Sequence, residues 1–197
     1  MKATSPITVG SPSRAVGRGR LSGRAATSWL YWLIPATFVI HDAEELLTMP
    51  GWVSDHKSQL TMLFGRLGLD GLADLMPSTF TRASIAIACV LIIFVVFTAG
   101  VVREPQSRMW RYLFGGLLGV FFLHGFTHIG QTVAFGTYTP GVVTAALLVI
   151  PVSAFVYRRL LAGGGLDRRH TVIATVVAAA LFIPATLTAM LFAAWLD

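Results

Sequence analysis

Apolar residues run through this chain in long, nearly continuous stretches, with polar residues gathered in the gaps between them. Five stretches, at about 28–49, 83–102, 110–135, 140–161 and 170–195, each reach the roughly 20 residues a helix needs to cross a ~30 Å hydrocarbon core. None shows the short alternating pattern of a membrane barrel strand. The pattern therefore predicts an all-α membrane protein, a bundle of five transmembrane helices. After the first stretch, Leu60, Leu63, Phe64 and Leu67 are spaced along one helical face, with Lys57, Ser58, Thr61 and Arg66 elsewhere. This predicts an interfacial amphipathic helix between the first and second spans, on the outer surface. Pro50-Gly51 predicts a turn at the end of the first span, and Pro151 and Pro184 predict kinks in the last two. Gly115, Gly116 and Gly119 predict close approach of a neighbour to the third.

Composition agrees with a membrane body: 55% of the residues are hydrophobic and only 12% charged, against about 25% charged in soluble domains. With five spans, twelve of the fifteen basic residues fall on one side, in the N-terminal tail, around Arg103–Arg111 and around Arg158–Arg169. Lys57, Arg66 and Arg82 fall on the other. The asymmetry predicts a cytoplasmic N-terminus and an outside C-terminus. The net charge of +6 is then a topology signal, and no nucleic-acid partner is expected. Residues 1–27, rich in Ser, Gly and Arg, read as a disordered basic cytoplasmic tail, and residues 28–197 as a single membrane-embedded helical domain. No small-x-small cleavage site follows the apolar run from Trp29 to Ile40, so that run is expected to remain as a span. The single cysteine, Cys89, excludes an intramolecular disulfide and a cysteine-based zinc site. No internal repeat suggests an inverted-repeat transporter.

Two polar clusters interrupt the apolar stretches. The first span contains His41-Asp42-Ala43-Glu44-Glu45. An ionisable side chain near the bilayer centre costs about 2.5–3.5 kcal/mol even on the lenient insertion scale, so three together call for a partner. At about 100° per residue, His41, Glu44 and Glu45 share one face, with Thr37 and Thr48 on the same side. Asp42 turns about 100° away from His41 and is the weaker candidate. In the third span His124 and His128 share a face that Thr127 and Gln131 extend. Both clusters lie about 20 Å from the cytoplasmic ends of their spans, toward the outside, on parallel helices. They can meet at one level. Three imidazoles and two carboxylates suit one divalent transition metal, zinc first, with iron or manganese as alternatives. Arg82, at the outer end of the second span, would be the counter-ion if the cluster were instead a structural network. His56 and His170 read as ordinary interfacial side chains.

The sequence resembles the HXXEE-motif family of uncharacterised bacterial integral membrane proteins. His41, Glu44 and Glu45, a histidine in a later span, and the Tyr-x-Pro-Gly turn at Tyr138, Pro140 and Gly141 carry the resemblance, over about residues 28–160. It implies a small multi-pass protein of the bacterial plasma membrane and says little about mechanism.

The residues themselves suggest an intramembrane metal-dependent hydrolase acting on a lipid or lipid-like substrate from the outer leaflet. His41, Glu44, His124 and His128 would bind the metal and Glu45 would be the general base. Thr37, Thr48, Gln131 and Tyr138 would support them. An intramembrane protease fits less well, because Leu46-Leu47-Thr48-Met49 follows the Glu pair where a basic residue is needed. A di-iron oxidoreductase with the two glutamates as bridging ligands also fits less well, because di-iron lipid hydroxylases use more histidines than the spans hold. The alternatives outside enzymology are a metal or proton carrier, a sensor with a buried Glu–His network, and a structural membrane subunit.

Overall fold

A computed structural model describes residues 16–196, with side chains from Ser28 onward. All regular structure among the described residues is helical. In chain order it comprises α1 (Val16–Asp55), α2 (Lys57–Arg66), α3 (Leu72–Leu75), α4 (Phe80–Arg103), α5 (Arg108–Phe135), α6 (Val142–Ala162) and α7 (Arg168–Leu196). Four of these, α4, α5, α6 and α7, are long and apolar enough to cross a membrane. The fifth expected span, α1, is not among them, because Asp42, Glu44 and Glu45 interrupt its apolar stretch. Of the expected N-terminal tail, residues 1–15 lie outside the described residues, and residues 16–27 belong to α1.

The expected turn at Pro50-Gly51 does not form, and α1 runs on through Pro50 to Asp55. Packing overrides the local signal. Val53 is buried with Leu60 and Ala73 in a small second cluster that also holds Met49 and Trp52. Trp52 Nε1 donates to the Tyr138 carbonyl at 2.8 Å. A short helix, α2, occupies the segment after α1 where the amphipathic helix is expected. Leu60 is buried and Phe64 half-buried on its inner side, whereas Leu63 and Leu67 are exposed.

The main core joins Ile34 and Phe38 of α1, Phe94 of α4, Phe114, Leu118 and Phe121 of α5, and Val149 and Val156 of α6. Phe94 stacks near Phe38 (4.3 Å between centroids) and meets Phe121 edge-on at 5.2 Å. These three rings form an aromatic layer one turn below His41. α7 packs chiefly on α5 and α4, while α1 packs on α4 and α6. The glycine-rich face of α5 permits the α7 contact. A Cβ at Gly119 would collide with the Thr175 side chain, and one at Gly116 would lie 2.7 Å from the Ala174 carbonyl oxygen.

The two late prolines differ. α6 widens into a π turn over Ala145–Val149, just ahead of Pro151. Proline supplies no N–H and its ring crowds the preceding turn, so the ladder shifts to wider bonds there. Pro184 lies within α7, which continues through it.

Candidate metal centre

His41 and Glu45 lie one helical turn apart on α1, and His124 and His128 one turn apart on α5. The helices bring the four side chains together. One ligand atom from each of His41, Glu45, His124 and His128 lies within 4.8 Å of every other. Glu45 Oε1 is 3.2 Å from His128 Nε2, 3.7 Å from His41 Nε2 and 4.0 Å from His124 Nε2. The His124 and His128 Nε2 atoms are 2.9 Å apart. A tetrahedral divalent centre with bonds of about 2.0–2.1 Å sets its ligand atoms about 3.3 Å apart. The observed distances bracket that value.

The hydrogen bonds behind the rings fix which nitrogen faces inward. His128 Nδ1 lies 2.8 Å from the Pro140 carbonyl, which can only accept, so Nδ1 carries the proton. His41 Nδ1 lies 2.8 Å from Thr144 Oγ1, whose own proton goes to Glu44 Oε2 at 2.6 Å. The imidazole must therefore donate there as well. In the neutral rings, Nε2 of His41 and of His128 then points inward as a bare lone pair. His41 Nε2 is buried with no hydrogen-bond partner, and His128 Nε2 faces a carboxylate oxygen. Inward lone pairs at these distances repel one another unless a cation or proton sits among them. The donor set thus fits a divalent ion, with outer partners of the kind that orient metal-binding histidines.

The two glutamates are placed differently relative to the cluster. Glu45, expected as the base, is the carboxylate in the quartet, and Glu44, expected as a ligand, is not. Glu44 instead accepts from Tyr138 Oη (2.7 Å), Thr144 N (2.8 Å), Thr144 Oγ1 and Val143 N (3.3 Å). The reason is helical phase. Both carboxylates flank His41, but the i+4 side faces α5 and the i+3 side faces the start of α6, whose free N–H groups draw in an anion.

The other expected residues surround this core. Thr37 is buried one turn below His41. Thr48 donates to the Glu44 carbonyl at 2.7 Å. Gln131 lines the adjoining cavity. Tyr138 sits outside the spans, and partial burial pushes its phenol pKa up, which keeps it a donor to Glu44. Arg82 lies in the first turn of α4, where its backbone N–H is capped by Thr79. The hydroxyl of Thr139, just before α6, lies 2.6 Å from that of Thr132.

Three residues contribute more to the site than their sequence context suggested. Thr144 links His41 to Glu44 from a position a hundred residues away. Gly141 adopts φ +81°, and a Cβ there would lie 2.9 Å from the His41 and His128 rings and 3.0 Å from Glu45 Oε1. Asp42, set aside on helical phase, is buried, and its Oδ2 has no hydrogen-bond partner. The spacing of Phe38, Asp42, Glu45 and Met49 was the available signal, because these residues form one α1 stripe along a cavity. That cavity, about 230 Å³, adjoins the quartet and is otherwise mainly apolar, with Trp52, Met76 and Pro77 also in its wall.

Fold and site together define a multi-pass helical membrane protein with a buried histidine–carboxylate cluster able to hold a metal ion. Residues 32–156 match the family described as "Protein of unknown function with HXXEE motif", and the chain belongs to that family. It is also similar to the uncharacterized protein YrkK of Bacillus subtilis (strain 168), at 25% identity over 139 residues, which cover 70% of this chain and 78% of the relative. No solved structure matches the chain.

Proposed function

We propose that this protein is an intramembrane metal-dependent hydrolase acting on a lipid or lipid-linked substrate, with zinc as the resident ion. The observation that carries the reading is the quartet itself: three imidazoles and one carboxylate at near-tetrahedral spacing, beside an apolar cavity. Three imidazoles with a carboxylate suit zinc, and iron or manganese are the alternatives. A divalent ion held there would supply Lewis acidity at a substrate carbonyl or phosphoryl oxygen. His41, His124 and His128 would hold it and leave a position open to water or substrate, and Glu45, beside them and lining the cavity, is suited to take a proton from an attacking water. Glu44 acts as a positioning residue, orienting His41 through Thr144.

The membrane setting is part of the proposal. α1 is the fifth span, because Val39, Ile40 and Leu47 lie exposed on its surface where lipid tails would cover them. The basic residues then give N-inside, C-outside orientation in a bacterial plasma membrane. The exposed Leu63 and Leu67 suit α2 to the outer interface. The site then opens in the outer leaflet. A carrier role has less support, because the aromatic layer and Ile34 close the cytoplasmic side of the quartet.

Turnover tests the reading. Zinc-loaded protein in nanodiscs is incubated with a panel of acyl-ester, acyl-amide and phosphoester lipids, and products are followed by mass spectrometry. At least one class is hydrolysed, and Glu45→Gln lowers the rate by about 10²–10⁴-fold while the bound ion is retained. No hydrolysis of any class, or equal turnover by Glu45→Gln, overturns it.

A further inference from the structure

The cavity beside the quartet does not end there. A smaller void of about 70 Å³ and a third of about 410 Å³ lie between α4, α5 and α7. Leu117 of α5 and Phe182 of α7 line all three. The voids are therefore neighbours separated by these two side chains. Together they outline a slot that runs from the quartet along α5 to Tyr112 and His170. From His124 to Tyr112 the helix rises about 18 Å. One leaflet's hydrocarbon depth is about 15 Å.

The two ends differ in chemistry. Between its termini the slot is walled by apolar side chains apart from Cys89 and Thr186, whose hydroxyl is committed to the Phe182 carbonyl, so it suits an alkyl chain. At the quartet end stands Asp42, buried, lining the first void, with Oδ2 lacking any partner. A buried carboxylate oxygen without a hydrogen bond is costly unless a donor reaches it. His41 and His128 cannot supply that donor, since they commit their N–H protons to Thr144 and Pro140.

From these two observations we infer that the slot binds one single-chain amphiphile, its tail threaded between α4, α5 and α7 past Leu117 and Phe182, and a hydroxyl of its head group donating to Asp42. This rests on the hydrolase reading and deepens it by naming the substrate class: lipids with one acyl-length chain and a free hydroxyl beside the scissile group. Leu117 and Phe182 set the chain length.

The test uses the full chain in nanodiscs with a 16-carbon monoacylglycerol carrying a diazirine at the tail terminus. Photolabelled sites are mapped by mass spectrometry, and zinc content is measured on the same samples. Labels at slot residues such as Leu113 and Ala178 are expected. Their yield falls about tenfold in Leu117→Trp, with zinc content unchanged, and also falls in Asp42→Leu. An 8-carbon analogue is insensitive to Leu117→Trp. Phe182→Trp blocks the slot from its other wall and replaces Leu117→Trp if that variant does not fold. Labels confined to outward residues such as Val133 and Leu147, or a yield that blocking the slot does not change, overturn the inference. Slot labelling in a wild-type protein that holds no metal would instead separate this inference from the hydrolase reading, leaving the slot and removing the metal centre.

Discussion

Gly141 shows how closely the backbone approaches the quartet. Its Cα sits where a methyl group would press on His41, His128 and Glu45 at once, and its φ of +81° belongs to the left-handed region. Gly141→Ala is expected to lower zinc affinity and to destabilise the fold by about 1–3 kcal/mol, read by metal titration and thermal unfolding in detergent. Glu44→Gln should act more mildly. The fold survives and zinc affinity drops about 10–100-fold, because the hydrogen-bonded chain through Thr144 to His41 is weakened while the four inward atoms remain. Equal affinity in Glu44→Gln and wild type would remove the positioning role. At this scale the sequence is a good guide to membership and a poor one to roles. Helical phase alone puts His41, Glu44 and Glu45 on one face. Which glutamate turns inward depends on where the start of α6 docks, and no local pattern around residue 44 encodes that. Asp42 was hidden for a related reason: the cavity face of α1 is centred on the Phe38–Asp42–Glu45–Met49 stripe and not on His41, a tertiary fact.

Among the elements, the long apolar runs and their depths were legible. Parallel spans with polar clusters at equal height could meet, and α1 and α5 do meet there. The glycines of α5 were legible as an approach surface, and α7 occupies it. Gly119→Leu is expected to force these helices apart, shifting thermal unfolding downward and emptying the slot, since even a Cβ there meets Thr175. Gly130→Ala is the matched control, with open space around its Cα and no expected loss. Pro50 was misleading because proline removes one donor without dictating what packing does next. At Pro50 the burial of Val53 carries the helix onward, whereas ahead of Pro151 the ladder relaxes into a π turn that sets the register of α6 above the site.

At the scale of the whole molecule, the fold places charged groups at an apolar depth and then surrounds them with partners. α5 provides two imidazoles, the turn before α6 provides a carbonyl and a side-chain-free glycine, and α6 provides donors for the carboxylate left outside the quartet. The proposed topology predicts that reporter fusions read the N-terminus as cytoplasmic and the C-terminus as outside. Both ends on one side would remove α1 as a span and with it the outer-leaflet placement of the site. The claim on which the rest depends is that the quartet holds a metal ion. Elemental analysis of detergent-purified protein, prepared without chelators beside a folded His41→Ala/His128→Ala double variant, tests it most directly. About one zinc, iron or manganese per chain, lost in the variant, is the expected result; metal-free wild-type protein, or equal metal in both, would contradict the account.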